Sequence, residues 1–355
     1  MKKHNFSAGP CILPQSVFQK AADAVLNFNG IDLSILEISH RSKDFVAVMD
    51  RARALVLEHL GLQDKGYEAL FLQGGASMQF LMVAYNLLEK KAAYLDTGTW
   101  ANKSIKEAKL LGEVAVVASS SDKNYNYIPK GYHIPNDADY FHCTSNNTIF
   151  GTQMQAFPKT DIPMVCDMSS DIFSRQLDFS QFDLIYAGAQ KNMGPAGATL
   201  VVVKKELLGK VSRTIPSMLN YQTHIGKESM FNTPPVFSVY VSMLTLEWLK
   251  EQGGITAIEK TNREKAALIY SEIDRNALFK GFVANTEDRS MMNATFNLTN
   301  DAVKEQFDAM LKEAGINGLN GHRSVGGYRA SMYNALSFDS VQVLVDVMQE
   351  LERKN

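Results

Sequence analysis

Two periods organise the apolar positions of the chain. Over residues 15–28 they recur at helical spacing, and they do so again from the polar cluster at 39–42 through an amphipathic stretch ending near Gly61. Between 69 and 203 the pattern changes. Short apolar runs at 69–72, 92–95, 114–118, 140–144, 163–167, 184–187 and 199–203 alternate with helical stretches. Runs that are apolar at consecutive positions suit strands covered on both faces, so the pattern predicts a mostly parallel, seven-stranded sheet flanked by helices. Beyond Lys204 an irregular segment holds Asn232, Thr233 and two prolines, and a helix follows from about 237 to 250. Gly253 and Gly254 interrupt it, and a second long helix runs to about Arg275. A strand at 291–297, a helix at 301–314, the loop NGLNGHRSVGGYR, a strand at 330–333 and a helix at 338–353 read as an α+β lobe. The N-terminal FSAGPCILP reads as an extended arm. The expected fold class is therefore α/β, with a large domain over 15–255 and a smaller α+β domain over 256–355 joined by 1–14.

Composition narrows the function classes. Hydrophobic residues make up 45% of 355 positions, enough for a sizeable core, and a net charge of −2 argues against a nucleic-acid or anionic-membrane protein. Cys11, Cys143 and Cys166 are odd in number and lack CxxC spacing, so they read as reduced cytosolic thiols with neither a disulfide framework nor a metal site. MKKHNF has no apolar run behind its lysines, and no stretch approaches the roughly 18 apolar residues of a membrane span, so a cytoplasmic location is expected.

Chemistry-bearing residues gather just after the predicted strands. Lys191 follows the run at 184–187. A solvated turn lysine is the simpler reading of that stretch alone, but an amine at a strand terminus is also open to desolvation, which lowers its pKa and makes it nucleophilic. Gly74, Gly75 and Ser77 lie between a strand and an apolar helix, an arrangement that seats anions. Trp100 falls in a polar loop before a helix, Thr148 follows the strand at 140–144, and Asp167 closes the strand at 163–167, as a helix cap or as a buried acid. In a parallel sheet these positions share the carboxyl edge, where ligands bind. Together they match the needs of pyridoxal phosphate: an amine, a carboxylate for the ring nitrogen, a flat ring partner, and a cup of donors to which Thr148 and Gln190 could add. A second group is cationic: His40, Arg41, His322, Arg323 and Arg329, the last three in a glycine-rich loop. The arginine fork matches carboxylate and phosphate, which suits an amino acid with an additional anionic head. A phosphate- or nucleotide-binding module is the competing class, although no GxxxxGK[ST] is present.

The segments AGAQKNMGPAG, SHRSKDF, FLQGGASMQF, FNTPPVF and GHRSVGGYRASMYNA, in this order, resemble the phosphoserine aminotransferases, class V aminotransferases of the fold-type I pyridoxal-phosphate architecture. The resemblance covers nearly the whole chain. It implies transamination between glutamate and 3-phosphohydroxypyruvate in serine biosynthesis, by a homodimer with active sites at its interface. It implies Lys191 as the lysine that bonds the cofactor and Asp167 as the pyridine-nitrogen partner. Trp100 would stack on the ring. Ala76, Ser77, Thr148 and Gln190 would hold the cofactor, with Asn232 and Thr233 arriving from the neighbouring subunit. It further implies His40, Arg41, His322 and Arg323 for the substrate phosphate or distal carboxylate, and Arg329 for the α-carboxylate. Some members carry an arginine in the glycine turn, where this chain has Ser77. Alanine–glyoxylate or serine–glyoxylate aminotransferases would use the same cofactor groups. A cysteine desulfurase would need a mobile loop cysteine, whereas Cys143 and Cys166 fall in predicted strands.

Overall fold

The computed structural model describes residues 3–355. A two-residue strand, β1 (His4–Asn5), begins an otherwise extended arm, followed by helix α1 (Gln15–Leu26). Helix α2 (Lys43–Leu60) has clear signals at both ends. The Ser42 side chain accepts from the Phe45 N–H at its start, and Gly61 ends it in the left-handed conformation. The central elements follow as β2 (Tyr67–Leu72), α3 (Gly75–Leu87), β3 (Lys91–Asp96), α4 (Thr99–Ala108), β4 (Glu113–Ser119) and β5 (Tyr140–Thr144). A small hairpin, β6 (Asn146–Asn147) and β7 (Thr152–Gln153), precedes β8 (Met164–Asp167), β9 (Leu184–Gly188), the one-turn helix α5 (Ala189–Asn192) and β10 (Thr199–Lys204). The order across the seven-stranded sheet is β2-β10-β9-β8-β5-β3-β4. Its strand pairs are parallel except those of β10, which runs antiparallel to both β2 and β9.

Alternation along the strands divides two cores. Tyr94, Tyr140, Val165, Tyr186 and Val201 face one side and pack with α3 and α4. Their neighbours Phe141, Cys143, Cys166, Ile185 and Val202 face the other, towards the apolar stripe of α2 and the helix α7 (Val236–Glu251). Both faces are covered, which is why the strands read as unbroken apolar runs.

The remaining elements are a short α6 (Tyr221–Ile225) ahead of α7, then α8 (Gly254–Arg275), β11 (Phe279–Gly281), β12 (Asn293–Leu298), α9 (Lys304–Glu313), β13 (Ile316–Asn317), β14 (Tyr328–Ser331) and α10 (Phe338–Lys354). β11, β12 and β14 form a separate antiparallel sheet, and β1 pairs with β13. Helix α8 spans two cores: Ile255 and Ile258 belong to the α2–α7 cluster, whereas Ile269 and Ile273 join Phe6, Phe296, Phe307 and Leu344 in a third.

Three expectations shift. Helix α3 starts at Gly75, so Ser77 lies inside its first turn and does not open it. Trp100 is the second residue of α4 and not a loop residue, because Gly98 gives the chain its bend one position earlier than the polar composition suggested. The strand expected at 330–333 occupies Tyr328–Ser331, so Arg329 lies within a strand and not in the loop before it.

Lys265 on α8 is fully buried, and its ammonium donates to the carbonyls of Met332, Tyr333 and Leu336 at 3.1, 2.9 and 3.0 Å. This clamp ties the end of the small sheet to α8. Lys265→Met keeps the stem and strands three carbonyls, with an expected loss of about 3 kcal/mol in urea unfolding. A loss below about 1 kcal/mol would show that the carbonyls find other partners.

Candidate active site

Parallel strands bring their carboxyl ends to one edge, and the chain uses that edge repeatedly. β8 ends in Asp167, β5 leads to Thr148, β9 leads to Lys191, β3 leads to Trp100 and β2 leads to the turn Gly74–Gly75. Gly74 must be glycine there. It sits at φ 92°, and a Cβ on it would lie 2.5 Å from the Met78 Cβ.

Lys191 is half-buried on α5, and its Nζ donates to Thr148 Oγ1 at 2.9 Å and lies 5.7 Å from the centre of the Trp100 ring. Desolvation pushes its pKa below the ordinary lysine value; the Asp167 carboxylate opposes this, and the Arg329 charge adds to it. Asp167 is 5% exposed, and burial raises its pKa while Lys191 and the Ser169 contacts lower it. It is not a helix cap. Its Oδ1 accepts from the Ser169 N–H at 2.9 Å, and Ser169 Oγ accepts from the Gly188 N–H at 3.1 Å, so one serine joins the carboxylate to the strand that delivers the lysine. Opposite Asp167 in the sheet register stands Tyr186, whose hydroxyl shares a 2.8 Å hydrogen bond with His142 Nε2. Burial holds the His142 pKa down to about 3, so that ring is neutral.

The small sheet reaches the same place. Arg329 donates to the Thr148 carbonyl at 3.2 Å through Nη1, and burial followed by the Arg329, Arg323 and Lys103 charges pushes the His322 pKa down. His322 is half-buried and Arg323 exposed. Gln190 precedes Lys191, and its amide folds over Gly188. Ala76 and Trp100 pack against the same cluster as Tyr186.

Two expected pairs stand apart in this chain. Asn232 lines a cavity of about 270 Å³ with Gln73, Gly74, Met78 and Met218, and the Thr233 carbonyl accepts from Gln73 Nε2 at 2.8 Å. His40 and Arg41 precede α2, and among the described residues no hydrogen bond or ion pair links them to Lys191, Asp167 or Thr148. His40 Nε2 is enclosed without a partner.

The sequence reading left two features without a role at the site. The N-terminal arm lies on the lysine turn: the Cys11 N–H donates to the Gln190 carbonyl at 3.1 Å, the Cys11 thiol donates to the Lys191 carbonyl, and Tyr333 Oη donates to the Ala8 carbonyl at 2.7 Å. Burial pushes the Cys11 thiol up to about 12, so it is uncharged. A Cβ on Gly9 would sit 3.2 Å from the Lys191 Cγ. Asn334, beside the Lys265 clamp, donates its N–H to Asn192 Oδ1 at 2.9 Å, next to Lys191. The close Gly-Pro spacing in FSAGP was the only available signal for the arm.

The residues fit pyridoxal phosphate. Trp100 Nε1 and Arg329 Nε are buried without partners, the first turn of α3 offers free N–H groups, and an amine and a carboxylate stand at neighbouring strand ends.

Comparison with known proteins agrees. Residues 3–344 match the class-V aminotransferase family. The phosphoserine aminotransferase of Flavobacterium johnsoniae is 73% identical over 356 residues, with 100% of both chains covered. The phosphoserine aminotransferase structure from Bacillus circulans subsp. alkalophilus superposes with a TM-score of 0.96 at 43% identity, covering 99% of each chain. The PLP-bound phosphoserine aminotransferase from Trichomonas vaginalis superposes with a TM-score of 0.93 at 33% identity, over 98% of this chain and 100% of that one. The chain therefore belongs to the phosphoserine aminotransferases within the class-V, pyridoxal-phosphate-dependent aminotransferase family.

Proposed function

We propose that this chain transfers the amino group of glutamate to 3-phosphohydroxypyruvate, giving O-phosphoserine and 2-oxoglutarate for serine biosynthesis, as a cytoplasmic homodimer with its active sites at the subunit interface. The observation that carries this reading is the desolvated Lys191 amine on Thr148, charge-coupled to buried Asp167 and faced by arginines that have no carboxylate partner. Among the described residues no helix is long and apolar enough to cross a membrane. Met78, Met218 and Phe231 are apolar yet 37%, 47% and 37% exposed around the Asn232 cavity, which supports a second copy docking there. The division into 15–255 and 1–14 with 256–355 is supported by Phe6, which packs into the core of the small sheet.

Pyridoxal phosphate, when bound, supplies an aldehyde that bonds amines and a protonated ring that draws electrons from the substrate Cα. The chain's own residues do the rest. Asp167, kept from water, would accept a hydrogen bond from the protonated ring nitrogen. Trp100 would cover the ring and exclude water. Ala76, Ser77, Thr148 and Gln190, with Asn232 and Thr233 of the partner subunit, would hold the cofactor's oxygens. Lys191, whose burial weakens its hold on a proton, takes the proton from the substrate Cα at Nζ and delivers it onward. Arg329 takes the α-carboxylate. His40, Arg41, His322 and Arg323 hold the distal anion, and a γ-carboxylate or a phosphate satisfies them equally, so one site serves both substrates in turn.

Initial rates with glutamate and 3-phosphohydroxypyruvate varied together should give parallel double-reciprocal lines; intersecting lines would contradict the alternating use of one site. Lys191→Ala should lower turnover by about a thousandfold or more and remove the visible absorbance of the bound cofactor, and retained turnover would sink the assignment. Gly9→Val forces a β-branched residue into φ 137° against the Lys191 stem, and it should cost about tenfold in kcat without changing the global unfolding midpoint by more than a few degrees. An unchanged kcat would remove the arm from the positioning of the lysine.

A further inference from the structure

We propose that Lys103, on α4, is a specificity-determining residue that binds the distal anion of the substrate; this rests on the phosphoserine transamination reading given above. Trp100 and Lys103 are three residues apart on one helix and share a face. The Lys103 Nζ lies 4.6 Å from the centre of the Trp100 ring, and the Lys191 Nζ lies 5.7 Å from the same centre. The two amines are thus no farther apart than these distances laid end to end. An amino acid bonded through its nitrogen near Lys191 extends about 5 Å from Cα to its distal carboxylate or phosphate, which brings that group into the range of Lys103.

The charge pattern points the same way. The field of Lys103 reaches His322, where Arg329 and Arg323 also act, so basic side chains from α4, from β14 and from the loop before β14 converge on one imidazole. Among the described residues none of these three cations makes an ion pair. Glu107 stands one turn beyond Lys103, at the spacing that would normally pair them, yet Lys103 leans over the indole. A cluster of unpaired like charges raises the energy of the free site and lowers that of a site holding an anion. The glycine turn from Gln73 to Ser77 brings no charge to this edge, so α4 is the nearer source of a cation. An ammonium on a flexible stem acts as a point charge and favours the more highly charged group, a phosphate monoester over a carboxylate.

The test uses the cofactor-loaded enzyme and the variants Lys103→Met and Lys103→Arg, with O-phosphoserine, glutamate and alanine as amino donors. Lys103→Met should raise KM for O-phosphoserine about tenfold, with a smaller rise for glutamate and a smaller change in kcat, and Lys103→Arg should restore most of the loss. The preference for O-phosphoserine over alanine, which has no distal anion, should fall by about the same factor, and so should its sensitivity to added salt. An active Lys103→Met enzyme with an unchanged KM for O-phosphoserine overturns the assignment of Lys103 and leaves the proposed reaction standing. Equal losses on all three donors assign Lys103 a structural role and overturn it as well. A wild-type enzyme that converts glutamate but ignores O-phosphoserine overturns the proposed reaction and this inference with it.

Discussion

Taking one lysine amine out of water sets the terms for the rest of the molecule. An ammonium costs several kcal/mol to bury unless partners compensate, and Lys191 receives only a hydroxyl at 2.9 Å and the fields of two carboxylates, Asp167 and the weaker Asp171. Its amine is therefore held in a state where the proton is easily lost. That state needs a rigid frame, because a mobile lysine would swing back to solvent. The frame is a sheet covered on both faces, with α5 stitched to Asp167 through Ser169 and Gly188. The antiparallel β10 contributes too. It begins at the same edge, pairing Thr199 with Gly188 and Leu72, and so fixes the glycine turn and the lysine turn relative to each other.

A second constraint comes from outside that sheet. Arg329 on β14, Asn334 beside the Lys265 clamp, and the arm at Cys11 all touch the loop or turn that carries Thr148 or Lys191. The small sheet thus borders the site and brings Arg329 to it. Helix α8, which takes part in two cores, sets how far the small sheet stands from the large one. Displacement along this helix would change the Arg329–Thr148 distance directly.

Much of this was legible in the sequence because the signals were local. Strands apolar on both faces, Ser42 and Gly61 at the ends of α2, and lysine and aspartate at strand termini each follow from a few neighbouring residues. What escaped was nonlocal. The pairing of β1 with β13 joins positions 4 and 316 and has no periodic pattern to announce it. The contact of Cys11 with the lysine turn spans 180 positions, and Cys11 read only as a reduced thiol. Trp100 reads as a loop residue because Thr, Asn and Lys surround it, whereas Asn102 and Lys103 lie on the outer side of a helix that buries Ala101, Ser104 and Ile105. For His40, Arg41, Asn232 and Thr233 the resemblance implied roles that a single chain does not bring together.

Asp167 shows why the charges at the site have to be considered together. Burial drives this carboxyl towards its neutral form, and the charge on Lys191 is the largest influence holding it ionised. The Asp167 Oδ1 accepts from the Ser169 N–H, the residue stands beside Tyr186 in the sheet register, and among the described residues it makes no ion pair. Arg329 donates to the Thr148 carbonyl, and its field acts on Lys191. In the reaction proposed above, a protonated ring nitrogen of pyridoxal phosphate would complement the Asp167 carboxylate. The same burial thus acts on both titratable groups at this edge, weakening the lysine as a proton holder and pushing the carboxyl towards its neutral form.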